Sequence, residues 1–240
     1  MSGLQATIAG ARYGTLTVLG NVELRVAPNQ TVVLLGSNGA GKTTALRAIM
    51  GTVAAASRTL SIDGRDITAL PTWRLAQAGI VMVPDGARCF PNISVRDNLL
   101  GAYTATHARR STQEFERLYR EVVSYFPILD ERAEQLSGTM SGGQRQMLAV
   151  CRALMAEPRV LLLDEPSAGL APIIAEALFE ALLEIQRARQ CAVILAEQNA
   201  GYVQPFGGHC IVLAEGEVAL QGTMQSVLAD ERLRMAYLGF

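Results

Sequence analysis

The chain has 240 residues, of which 50% are hydrophobic and 18% charged, and its formal net charge is −1. Such a composition excludes a disordered chain, which lacks the apolar surface to fold. Near-neutral charge without a run of basic residues gives no footprint for nucleic acid.

The first 30 residues alternate loosely, as in "LTVLGNVELRVAP", and read as antiparallel strands. "TVVLL" (31–35) is a β-branched and aliphatic run, the pattern of a strand buried on both faces. "GSNGAGKTT" follows, then "ALRAIM", a helix that runs to about Gly51. "LSIDGRDI" is a strand and a turn with Asp63-Gly64 at the corner, and "GIVMVPDG" is a buried strand ending near Asp85. From about Ala87 to Glu157 strand patterns vanish. "SVRDNLLGAY", capped by Ser94 with Asp97 three residues on, and "STQEFERLYREVVSYF" read as helices. A third starts at Ser141, a good N-cap, with Met147, Cys151, Leu154 and Met155 at helical spacing. Strand and helix alternate again after Pro158. "RVLLLDEP" precedes a helix through Ile173, Ala177, Leu178, Ala181, Leu182 and Ile185. Strand "AVILAE", a hairpin turning at Gly216 and a final helix near "QSVLADERLRMAYLG" complete the order.

Cys89, Cys151, Cys191 and Cys210 show no metal-clip or redox spacing and read as reduced thiols of a cytosolic protein. The opening "MSGLQATIAGARYGT" has no basic start followed by an apolar core, so no signal peptide is expected. "VVLL" and "VLLL" are far too short to cross a bilayer, so membrane association must go through a partner.

Of 21 basic residues only Lys42 is a lysine. It lies in strand, glycine-rich loop and helix, matching G-x-x-x-x-G-K-[ST] with Gly36, Gly41, Lys42 and Thr43. Gly36, Gly39 and Gly41 allow backbone turns closed to residues with a Cβ and a close approach to phosphate. Successive N–H groups from Gly36, Ser37, Asn38, Gly39, Ala40, Gly41, Lys42, Thr43 and Thr44 wrap the β-phosphate, reinforced by the helix dipole. The Thr43 hydroxyl suits Mg²⁺. Lys42 brings a compact charge to the β- and γ-phosphate oxygens, where arginine's planar fork is too wide.

Asp164 and Glu165 end a second buried strand, and an acidic pair there sits at the carboxyl edge of a parallel sheet. Asp164 is placed to hold Mg²⁺ through water and Glu165 to orient the attacking water. Ser141, Gly142 and Gly143 form a small-residue helix start able to bind an anion.

A P-loop, then "MSGGQ", then "LLLDEP", in that order, resembles the ATP-binding cassette family over essentially the whole chain. The resemblance implies an α/β P-loop NTPase fold, with a parallel-sheet core, an antiparallel β subdomain and an inserted α-helical subdomain. It would be one nucleotide-binding domain over 1–240, with core segments 1–86 and 158–240 and helices over about 87–157. It also implies that two cassettes face each other head to tail. Ser141, Gly142, Gly143 and Gln144 of one then close over the γ-phosphate held by the Lys42 loop of the other, and Tyr13 stacks on adenine.

"VPDGARCFPNISVRDNL", "SAGLAP" and "AEQNA" look like the ATP-binding subunit of importers for branched-chain amino acids. Related cassettes take urea, other amides or organic acids. The implied partners are two transmembrane permease subunits, a second ATP-binding subunit and, indirectly, a solute receptor. The implied location is the cytoplasmic face of the membrane, as a peripheral subunit, with the stretch around Arg88 to Leu100 receiving a short helix of a permease. Three positions depart from most cassettes. Asp85 replaces a glutamine that senses Mg²⁺ and water, Gln198 replaces a histidine at the γ-phosphate, and Ala171 replaces an aspartate. The branch shares the first two substitutions. An alternative is a weakly hydrolysing subunit paired with a more active cassette.

Overall fold

The computed structural model describes residues 3–107 and 111–230. β1 (Leu4–Tyr13), β2 (Leu16–Leu19) and β3 (Val22–Val26) come first. Leu4, Ala6 and Ile8 of β1 are buried and alternate with exposed Gln5 and Thr7, and β3 repeats the pattern. Both strands therefore turn one face inward and one to solvent. After β4 (Thr31–Leu35) come α1 (Lys42–Ile49), β5 (Ala54–Ile62) and β6 (Arg65–Asp66), then α2 (Thr72–Gln77) and β7 (Ile80–Val83). β1 pairs antiparallel with β2, β3 and β5, and β5 with β6. Asp63 and Gly64 at the β5–β6 turn both have positive φ, as a two-residue type I′ turn requires.

Helices fill the next stretch: α3 (Val95–Thr106), α4 (Thr112–Ser124), α5 (Ile128–Glu131) and α6 (Gly142–Leu154). Ser94 accepts from the Asp97 amide at 3.0 Å, and Ser141 with Gln144 forms a reciprocal capping box. The chain continues with β8 (Val160–Asp164), α7 (Pro172–Arg189), β9 (Ala192–Glu197) and α8 (Ala200–Val203), then β10 (His209–Ala214), β11 (Glu217–Thr223) and α9 (Met224–Leu228). α7 begins with Pro172, whose fixed φ and missing N–H suit a first helical position. The expected last helix begins as α9. Its continuation through 231–240 lies outside the described residues.

The second sheet has the order β11-β10-β4-β9-β8-β7, parallel except for the β10–β11 hairpin. Every residue of β4, β8 and β9 is buried, so the expectation of strands covered on both faces is met. Successive side chains point to opposite faces, and the two faces build two cores. Val33, Leu35, Leu161, Leu163, Val193 and Leu195 pack with the helices α3, α4, α6 and α7. Val32, Leu34, Leu162 and Ile194 pack with α1 and the inward residues of the antiparallel sheet. The P-loop helix is thus clamped between the two sheets. All four cysteines are free, three of them buried, and no described helix is long and apolar enough to cross a membrane.

Candidate functional site

Strand register brings the site together. Leu35 lies opposite Glu197 and Leu34 opposite Ala196, while Asp164 also lies opposite Ala196. The residues that follow, starting at Gly36, Glu165 and Gln198, therefore leave the sheet side by side at its carboxyl edge, where α/β folds bind ligands. The Glu165 amide donates to the Ala196 carbonyl at 2.9 Å, which fixes this alignment. β7 stops at Val83, two residues short of Asp85.

The loop from Gly36 to Gly41 is shaped by its glycines. A Cβ at Gly36 would sit 2.6 Å from the Leu213 carbonyl oxygen and 2.9 Å from the Ala40 Cβ. Gly41 has φ 104°, a left-handed conformation that excludes most side chains. It caps α1, which has no side-chain cap and no acidic residue in its first turn. The first-turn amides and the positive end of the helix dipole therefore favour an anion there.

Lys42 is 3% exposed. Its ammonium donates to the carbonyls of Gly36 at 2.8 Å and Ser37 at 2.9 Å and pairs with Glu165 Oε1 at 2.9 Å. Those three acceptors match the three protons of a primary ammonium. Glu165 is held at φ 44°, a conformation uncommon for a residue with a side chain and associated with functional sites.

Thr43 donates its hydroxyl to Asp164 Oδ1 at 2.8 Å, and Asp164 Oδ2 is buried without a protein partner. Burial pushes the Asp164 carboxyl up, the Thr43 bond opposes this, and the neighbouring charges of Asp85 and Glu165 add to it. A buried acceptor with a lone pair to spare, beside a hydroxyl, is a hard oxygen set that fits Mg²⁺. No group of three or more His, Cys, Asp or Glu forms a metal cage among the described residues. Few protein ligands are what Mg²⁺ commonly takes when phosphate and water supply the rest.

Tyr13, 45% exposed at the end of β1, borders a cleft of about 440 Å³ with Arg47, Met82, Pro84 and Arg88. The Tyr13 phenol is the main influence raising the Arg47 guanidinium, with burial opposing it and Asp85 and Asp164 assisting. Arg47 also reaches Asp85 Oδ1 at 3.4 Å. Asp85 thus faces the P-loop helix through an arginine that the sequence reading passed over. The start of α6, with Ser141 and Gly142 exposed and Gly143 and Gln144 half-buried, is not joined to the Lys42 loop by any hydrogen bond or ion pair among the described residues. Gly143 instead abuts Ile174 and Leu170, and a Cβ there would lie 2.6 Å from Ile174 Cγ2.

The family model described as ABC transporter matches residues 19–168. The chain belongs to the ABC transporter family.

Among its relatives is a protein of Pseudomonas aeruginosa named as the high-affinity branched-chain amino acid transport ATP-binding protein BraG, 38% identical over 95% of each chain. A probable branched-chain amino acid transport ATP-binding protein, LivF of Archaeoglobus fulgidus, is 32% identical over 98% of each. A lipopolysaccharide export ATP-binding protein, LptB of Haemophilus influenzae, is 33% identical, over 100% of this chain and 98% of that one. In fold, the ADP conformation of the ATP-binding cassette MJ1267 superimposes with a TM-score of 0.83 at 24% identity, over the full length of both chains.

This ABC cassette is a nucleotide-binding transport ATPase that works with membrane components. Sequence reading missed Glu197, buried at the end of β9. The signal was available, since "AVILAE" ends in an acid at its last strand residue as "VLLLD" does.

Asp164 also carries a prediction for the cassette. Its raised pKa means the folded chain holds that proton more tightly than the unfolded chain, so the ionised form costs stability near neutral pH. Without metal or nucleotide, Asp164→Asn is expected to melt above the wild type at pH 7. The difference should shrink as pH falls toward the ordinary carboxylate value, and calorimetric melts across pH check it.

Proposed function

We propose that this cassette is the MgATP-hydrolysing subunit of an importer for branched-chain amino acids, bound peripherally at the cytoplasmic face of the membrane. Its partners are two permease subunits, a second cassette of the same or another chain, and indirectly a solute receptor. The single domain 1–240 divides into a core of 1–86 and 158–240 and a helical subdomain of about 87–157. The observation that carries the reading is the meeting of Lys42, Thr43, Asp164 and Glu165 at one sheet edge, on a chain whose 38% identical relative matches it over 95% of each chain.

Tyr13 stacks on the adenine. The amides of Gly36, Ser37, Asn38, Gly39, Ala40, Gly41, Lys42, Thr43 and Thr44 cradle the phosphates, and Lys42 binds β- and γ-oxygens. Thr43, and Asp164 through water, would hold Mg²⁺, which would neutralise charge on the phosphate oxygens. Glu165, freed from Lys42 when phosphate takes the ammonium, accepts from water and aligns it in line with the γ-phosphorus. Gln198 donates an amide hydrogen bond to the γ-phosphate, and Asp85 accepts near the metal. Ser141, Gly142, Gly143 and Gln144 of the opposed cassette close the site with backbone N–H groups, an arrangement supported by the exposure of Ser141 and Gly142.

A second reading, export of lipopolysaccharide, is supported by the 33% identity to LptB. Import of urea, other amides or organic acids is a third. Removing this chain from its host is expected to abolish uptake of labelled leucine, isoleucine and valine and leave other solutes unaffected. Full residual uptake would refute the solute assignment.

A further inference from the structure

Glu197 is 2% exposed, at the last position of β9. A carboxylate so deep in a protein is costly unless its lone pairs are taken, and here three donors converge on it. Oε1 accepts from the Ser167 amide at 3.0 Å and from the Ser167 hydroxyl at 2.6 Å. Oε2 accepts from the Gln198 amide at 3.0 Å. Ser167 lies two residues past Glu165, in a turn closed by the Ala168 amide on the Glu165 carbonyl. The same segment leads to Leu170, which together with Ile174 borders Gly143 at the start of α6. Glu197 makes no hydrogen bond or ion pair with Lys42 or Thr43 among the described residues.

We infer that Glu197 is a positioning residue for hydrolysis. One carboxylate ties the turn that carries Glu165 to the backbone of Gln198, so the water-aligning carboxylate and the γ-phosphate contact hold one relative placement. This rests on the roles proposed above for Glu165 and Gln198. All three neighbours donate, so the position demands an acceptor at both oxygens. Glutamine has almost the same shape but only one acceptor oxygen. It would keep one side of the tie and turn an NH₂ against an N–H on the other. Near-attack geometry disturbed on that scale costs turnover without touching the phosphate cradle.

The test uses the full chain purified with its cognate subunits. Glu197→Gln is expected to bind ATP with wild-type affinity and to lose about 10- to 100-fold in kcat. Gln198→Ala should cost less on the Glu197→Gln background than on the wild type, because both changes disable one unit. A merely structural glutamate would instead lower the melting temperature and ATP affinity together, and Gln198→Ala would cost its full factor on either background. That result, or a wild-type kcat, overturns the inference. Should Glu197→Gln fail to fold, Ser167→Ala, which removes only the hydroxyl donor, decides. A fall in kcat at unchanged affinity supports the tie and wild-type turnover overturns it. Glu165→Gln runs alongside. If it keeps full turnover, the reading of the site and this inference fall together. If it is inactive while Glu197→Gln turns over normally, the inference alone falls.

Discussion

Glu165→Gln is expected to bind ATP at least as tightly as the wild type while hydrolysing it about 100- to 1,000-fold more slowly, the range seen when one preorganised transition-state group is lost. Glutamine fills the same space and meets the same backbone demand at φ 44°. It removes the charge proposed to draw water into line, and with it the 2.9 Å ion pair that engages the Lys42 ammonium. A nucleotide entering the wild-type site must take that ammonium from Glu165. In the variant it meets less competition, so affinity holds or rises as turnover falls. Equilibrium binding of labelled ATP beside single-turnover hydrolysis separates the two effects. Unchanged turnover would move the catalytic role to another carboxylate.

Lys42→Arg keeps the positive charge and is nonetheless expected to weaken ATP binding about ten- to a hundredfold, the equivalent of one charged hydrogen bond lost. Lys42 sits 3% exposed, its three protons spent on two carbonyls and a carboxylate within 2.9 Å. A guanidinium is planar, longer and donates in a fan. It cannot reproduce that tripod without pushing on Gly36, whose surroundings already exclude a single Cβ. Titration calorimetry decides the matter. Wild-type affinity in the arginine variant would show that charge alone matters here and shape does not.

Much of this was open to reading from the chain alone, because each legible feature answers a local demand. The P-loop glycines stand where φ or close packing forbids a side chain. β4, β8 and β9 are unbroken apolar runs because both their faces are covered, and α3 and α6 announce their starts through Ser94 and Ser141. What escaped depends on register between distant segments. α2 buries only Leu75, so its six residues carry no periodic signal. The Arg47–Asp85 pair joins the P-loop helix to the segment after β7. Glu197 looks like any strand-end acid until β9 is set beside β8 and Ser167 arrives from the neighbouring turn. Loops contribute the chemistry, and the parallel strands decide which loops meet.

The solitary lysine has a consequence for covalent modification. Acylation, carbamylation or conjugation of a side-chain amine has a single target in this sequence, and it is the one proposed to grip the phosphates. Any adduct that forms is expected to abolish ATP binding, and the ammonium is buried under its own loop.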